Sequence, residues 1–428
     1  MRGKCALMAS VGLALVLGTS ACAPGGGQDD GGGKSSGDKK LTYLYFTDGP
    51  DEQATRGLIA KFEKKTGAKV DLQVVPFDGI EQQLQARLSG GKAPDVARLA
   101  NITPFRDDLL DLKKQGQDIG GQFLDAARPY VSGKNGELLA VPSDLTMNGP
   151  FINVDQFRKA GVAPPKPDKP WTWTELVTNA EKVQRANKTE YAIAFDKSGH
   201  RFATMLSQFG TGYFKGDGKS VDLDPVKATA AVKLFTDLHK QDVMPKDFWL
   251  ESGSKYKGAN DIFLAKAAPV YISGNWQVSQ FAQDAKFTWA AMPNPCQAQC
   301  GGYPGGKFMA GFKQSHNPKL AADFIAFMNS KESQTETCQK ALFLPTRKDL
   351  VASGIDYPSR KDDMSVFLGD VKRTPPVAYA NNYSPAFDGA ADGMVKELSK
   401  VIAGQQSPAD AVTAARKDAQ QSLEDAGS

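Results

Sequence analysis

Few side chains in this sequence are equipped for chemistry, and their spacing limits what they can do. There are only three histidines, His200, His239 and His316. They are scattered, and no pair has the spacing of metal ligands. Cys296 and Cys300 lie four residues apart in a Pro/Gly-rich stretch, where an exported chain can close a small disulfide loop. Cys338 falls in a helical pattern and reads as a buried free thiol. These three cysteines have no fourth Cys or His nearby and do not make a zinc set. There is no Gly-x-Ser-x-Gly nucleophile elbow. Trp276 is the most suggestive single residue. It follows an apolar run, Ala268–Ile272, and a Ser-Gly-Asn turn, and it opens a helix. There an indole can face a cleft beside the free amide donors of a helix N-terminus.

The N-terminus points outward from the cell. Arg2 and Lys4 precede an apolar stretch, Ala6–Leu17, and then the small residues Gly18-Thr19-Ser20-Ala21 before Cys22. The apolar stretch is too short for a span of ~20 residues, and the whole reads as an export signal over residues 1–21. Residues 22–40 are Gly- and Ser-rich with almost nothing to bury, the composition of a disordered tether. The net charge of +4 falls to +2 once Arg2 and Lys4 are set aside, and nothing suggests nucleic acid as a partner.

The remaining ~390 residues exceed the size at which one core usually stops growing, so two domains are expected. Leu41–Phe46, Val70–Pro76 and Pro94–Val96 read as strands, separated by helices at Asp51–Lys65 and Ile80–Leu88. That alternation implies a parallel sheet with crossover helices, and ligands in such sheets bind at the carboxyl ends of strands. The loop at Asp48 is one such end. Leu138–Pro142 and Pro150–Asn153 read as two further short strands. Helices are expected at Trp173–Asn187, with Thr174 as N-cap, and at Asp224–Gln241, Trp276–Asp284, Pro318–Ser330 and Ser407–Ala426.

Several stretches together resemble one family. Leu84–Val96, ending in Pro-Asp-Val, is similar to a segment of the bacterial extracellular solute-binding proteins of family 1. So are Ala140–Pro142 with Phe151–Asn153, Trp171-Thr-Trp-Thr-Glu-Leu176, Gly274-Asn-Trp276, Pro318–Phe327 and Leu344-Pro-Thr-Arg347. Their order matches across nearly all of the chain beyond the leader. The leader itself resembles a lipobox, although Thr19 stands where that pattern prefers Leu. The resemblance implies an α/β, two-lobed periplasmic-binding-protein-like fold of type II, each lobe a mixed sheet flanked by helices. Lobe 1 would comprise residues 41–148 and 310–352, and lobe 2 residues 149–309 and 353–428. Three hinge crossings would lie near 146–151, 306–311 and 344–352.

The resemblance also implies a function. The chain would be a lipoprotein anchored through Cys22 on the extracellular face of the cytoplasmic membrane. It would capture a carbohydrate, act as a monomer and deliver its ligand to the transmembrane subunits of an ABC permease, with no cofactor and no metal. A carbohydrate site pairs flat apolar faces with planar hydrogen-bonding groups. On that basis the expected ligand-binding residues are Trp276, Asp48, Asn101, Asp144, Gly305, Gly306, Asn382 and Tyr383, with Cys296 and Cys300 bonded to each other. Trp171 and Trp173 are expected in packing, and Asp95 in local ordering. Two rival functions are a glycoside hydrolase, for which Asp48 and Asp144 would have to form a catalytic pair, and an adhesin or sensor on the same fold.

Overall fold

Eight strands carry the fold: β1 (Lys40–Tyr45), β2 (Lys69–Val74), β3 (Val96–Leu99), β4 (Ala140–Asn153), β5 (Ile193–Phe195), β6 (Val270–Gly274), β7 (Trp289–Ala291) and β8 (Pro304–Gly311). The structure is a computed structural model and describes residues 39–427 except 50 and 217. The export signal, Cys22 and the tether up to residue 38 lie outside the described residues.

β1 pairs in parallel with both β2 and β3, as the strand–helix alternation requires. The connecting helix Asp51–Thr66 buries Ala54, Leu58, Ile59 and Phe62 on one face, the spacing of an amphipathic helix. Burying Leu58 or Phe62 contributes about 1.5–3 kcal/mol each. Gly67 ends this helix: its amide donates to Glu63 O at 2.8 Å, and its φ of +71° suits glycine. β8 then adds antiparallel to β3.

β4 departs from the sequence reading. The expected strands at 138–142 and 150–153 are parts of one 14-residue strand. The intervening Ser143, Asp144, Thr146 and Asn148 resemble a turn in sequence, but tertiary partners satisfy them. Met147 N, for instance, donates to the side chain of Asn275 at 2.9 Å. Ala140–Met147 pairs with β8, and Asn148–Ile152 pairs with β6. β4 therefore leaves one sheet and enters the other between Met147 and Asn148. β5 runs parallel to β6, and β7 lies antiparallel to the end of β4. β8 was not read as a strand, because Gly305-Gly306 masks it. Phe308 and Met309, expected in lobe 2, pair with Leu99 and Arg98 of the first sheet.

Three apolar clusters sit behind these sheets. One gathers Leu44, Phe62, Leu84 and Ile325 around the first sheet. Another holds Leu176, Phe202, Phe235 and Leu398. The third joins Phe151, Tyr271 and Phe281 to Cys338, Leu344 and Leu350, so part of the 310–352 segment packs against residues of the second sheet. Helix ends follow local chemistry. The Trp173–Asn187 helix is capped by Thr172 rather than Thr174, in a capping box with Glu175. Trp173 is buried and its indole donates to Gln208 at 2.7 Å; Trp171 stacks on Phe157. Asp95 accepts from Thr42 N at 2.7 Å and orders the start of β3. Cys296 and Cys300 are joined with their Cα atoms 4.4 Å apart, and Cys338 is a buried free thiol.

Candidate functional site

The carboxyl ends of five strands converge on one cavity of about 370 Å³. Asp48 follows β1, Phe77 follows β2, Asn101 follows β3, His200 and Arg201 follow β5, and Trp276 follows β6. This is where open α/β sheets place their ligands. Asn101, Gly305, Gly306, Asn382 and Tyr383 also line it.

The two glycines form part of the wall because β4 and β8 run so close together there. A Cβ on Gly305 would meet Thr146 Oγ1 at 2.5 Å, and one on Gly306 would meet Asp144 O at 2.5 Å. Gly306 also has φ +150°, which L side chains rarely adopt.

Asp144, expected among the ligand-binding residues, does not line this cavity. The β4–β8 register shifts between Pro142 and Asp144, and such an irregularity re-aims side chains. Asp144 is buried, at 6% exposure, and its Oδ2 accepts from Arg98 Nη2 at 2.9 Å. The same nitrogen donates to Asp48 Oδ2 at 2.8 Å, and Arg98 Nη1 lies 3.2 Å from Asp51. Burial opposes the guanidinium's charge, but Asp144 and Asp48 outweigh it and raise its pKa. Burial likewise pushes Asp48 up, yet Lys307 and Arg98 together hold its carboxyl below the usual range. Asp48 therefore faces the cleft with a fixed charge.

On the other wall a second polar network supports Trp276. The Arg201 guanidinium stacks over the indole, 4.1 Å from its centroid. Arg201 is held by Asp196 at 3.2 Å and donates to His200 Nδ1 at 2.6 Å. An arginine only donates, so Nδ1 accepts and the proton sits on Nε2, which faces Pro304 O at 3.0 Å and Asn382 Oδ1 at 3.1 Å. Burial first, and Arg201 second, lower the His200 pKa to about 3, so the ring is neutral at physiological pH. Gly274 is needed beside it, since a Cβ there would fall 2.0 Å from the indole ring.

Further ring faces come from Phe77, 53% exposed and edge-on to Phe46, and from Tyr130, packed against Tyr383. Asn101 uses its carbonyl oxygen to accept from Thr103 N at 2.9 Å. Asn381 turns inward and binds the Phe214 backbone.

Sequence reasoning missed Phe77, Tyr130, His200, Arg201, Lys307 and Asp388. Position offered one usable signal, since Phe77, His200 and Arg201 each lie just past a strand end.

An α/β fold of two lobes, with strand ends from both sheets facing an aromatic and polar cleft, defines a binding protein of the periplasmic type. The chain belongs to the bacterial extracellular solute-binding protein family, whose pattern matches residues 57–362. Among its relatives, the arabinooligosaccharide-binding protein of Bacillus subtilis is 25% identical over 337 residues, covering 74% of this chain and 76% of its own. The sn-glycerol-3-phosphate-binding periplasmic protein of Pectobacterium atrosepticum is 23% identical over 71% of this chain and 72% of its own. The GacH receptor of Streptomyces glaucescens, solved unliganded and in complex with acarbose, matches 90% of this chain and 98% of its own. Its TM-score is 0.75 at 21% identity.

Proposed function

We propose that this protein is the substrate-binding component of an ABC importer, capturing a carbohydrate in its cleft and delivering it to the membrane permease. The observation that carries this reading is the pairing of Trp276, Phe77 and Tyr130 with Asp48, Asn101 and Asn382 around one cavity. Ring faces suit the apolar faces of sugar rings, and carboxylate and amide groups suit hydroxyls. The relatives divide between an oligosaccharide and a phosphate ester, and the aromatic walls favour the former.

Binding without chemistry fits the same geometry. Asp48 and Asp144 share one Arg98 nitrogen. As a hydrolytic pair these two fail: Asp144 does not line the cavity, and Asp48 is shifted down, where the acid of such a pair must be raised.

The lobes in this reading meet where β4 changes sheets at Met147–Asn148, where β8 begins at Pro304, and near Leu344, which pairs with Leu145. Glycines 305 and 306 stand beside the second of these. Closure would be a rigid-body motion about those segments, favoured by a ligand in proportion to its tighter binding of the closed form. A bound sugar is therefore expected to reduce the radius of gyration in solution scattering and to perturb tryptophan fluorescence. Trp276→Ala should weaken sugar binding by about 1–3 kcal/mol, the scale for burying a large apolar side chain, with the unfolding midpoint unchanged. Undiminished affinity in that variant would remove Trp276 from the site, and absence of compaction at saturation would count against closure.

Location rests on the leader. In this proposal Cys22 carries the lipid, and the segment between it and β1 lets the binding domain reach the permease at high effective concentration. Cys22→Ser should shift the protein out of the membrane fraction. A wild-type N-terminus without added lipid mass would defeat the anchoring.

A further inference from the structure

The charges of the cleft narrow its ligand further. Two cations line it, and both are committed. Lys307 Nζ lies 4.0 Å from Asp48, and Arg201 lies 3.2 Å from Asp196 while stacking on Trp276. Arg98, just beneath, already faces three carboxylates. Together these clusters set three cations against Asp48, Asp51, Asp144 and Asp196. An anionic ligand would find no uncommitted positive charge among the described lining residues.

Asp388 adds a fifth carboxylate. It lines the cavity and is exposed, and among the described residues it has neither a hydrogen bond nor an ion pair. Although its side chain reaches solvent, the surrounding cleft walls partly desolvate its carboxyl, and this first, with Asp392 second, moves it above the usual range, as befits a group without a counter-cation. It also occupies the first turn of the 16-residue Phe387–Ile402 helix. A helix N-terminus is the feature of such a cleft that would otherwise favour a phosphate. Here the protein's own carboxylate stands at it.

Resting on the carbohydrate reading above, we propose that the cleft accepts uncharged saccharides and rejects phosphorylated and uronic ones, with Asp388 as a specificity-determining residue. Its two unpartnered oxygens accept ligand hydroxyls, charge-assisted hydrogen bonds that a phosphate or carboxylate cannot supply. The same charge repels an anion brought into the cleft, an unfavourable contact of the kind that builds specificity.

The test is calorimetric titration of the purified full chain with two probe sets. The neutral set is arabinotriose, maltotriose and N,N′-diacetylchitobiose. The anionic set is sn-glycerol 3-phosphate, glucose 6-phosphate and galacturonate. At least one neutral probe should bind, with every anionic probe at least a hundredfold weaker. Asp388→Asn should weaken the neutral ligand about tenfold and narrow the gap between the sets. Its unfolding midpoint should stay that of the wild type, since the side chain has no partner to lose. Neutral and anionic probes binding alike, or Asp388→Asn leaving both affinities unchanged, would overturn the inference while leaving the carbohydrate reading intact. Failure of every neutral probe would bring down that reading and this inference with it.

Discussion

Arg98→Met should cost the fold about 3–5 kcal/mol, the range for leaving buried charges uncompensated. That is a large share of the roughly 5–15 kcal/mol that holds a domain together. Arg98 is 3% exposed. It lies within hydrogen-bonding or ion-pair distance of Asp48, Asp51 and Asp144, donates to Phe46 O at 2.8 Å and stacks on the Phe46 ring. Methionine can fill part of the space but would leave three carboxylates facing one another. The measurement is the midpoint of chemical denaturation. A double variant, Arg98→Met with Asp144→Leu, should recover part of the loss, because one of the uncompensated charges is gone. A single-variant loss below about 1 kcal/mol would show that these pairs contribute no more than surface ion pairs do.

Acid should destabilise the protein through His239. This ring is wholly enclosed, against Phe235 and Trp249. Neither of its nitrogens makes a well-formed hydrogen bond among the described residues, although the backbone carbonyls of Met244 and Pro245 lie close to the ring. Burial lowers its pKa to about 3, and the backbone carbonyls of Pro245 and Met244 oppose that shift. The unfolded chain therefore binds this proton near pH 6.5 while the folded chain does not. Stability rises with pH wherever the unfolded state holds more protons, so it should fall as pH drops from about 6.5 toward 3. At about 1.4 kcal/mol per pH unit, the full loss is on the order of 5 kcal/mol. Asp370, whose carboxyl burial pushes upward, acts in the opposite sense at the acid end. The quantity to measure is therefore the difference between wild type and His239→Leu. The variant should show a flatter stability curve between pH 6.5 and 4. Parallel curves would mean that His239 titrates normally in the fold. His200, lowered to a similar value, stays neutral across pH 5–8, so its proton should leave ligand affinity unchanged there.

The parts of this protein written locally were legible from its residues. Gly67 closing the first helix and the apolar spacing of Leu58, Ile59 and Phe62 each depend on neighbours within a few positions. The strand-end rule placed Asp48, and the Ser-Gly-Asn turn before a helix placed Trp276, at what proved to be the wall of one cavity. β4 was not legible as one strand. Its polar centre is satisfied by Asn275, His200 and Thr204, residues more than fifty positions away. Asp144 lies off the cavity for a related reason: its neighbourhood in sequence suits a loop acid, but a register irregularity turns it toward Arg98.

By itself, then, the sequence determined the alternating α/β class, the first strands and helices in their order, and the family resemblance. These follow from periodicity, capping and composition, which act over short spans of chain. Only the tertiary structure decided which carboxylates face the cleft and which lie beneath it, that Arg201 backs Trp276, and that Asp388 stands in the wall without a partner among the described residues. Those outcomes depend on pairings such as Arg98 with Asp144 and His200 with Asn382. Their energy comes from burial and charge brought together by the fold, and no local pattern records them.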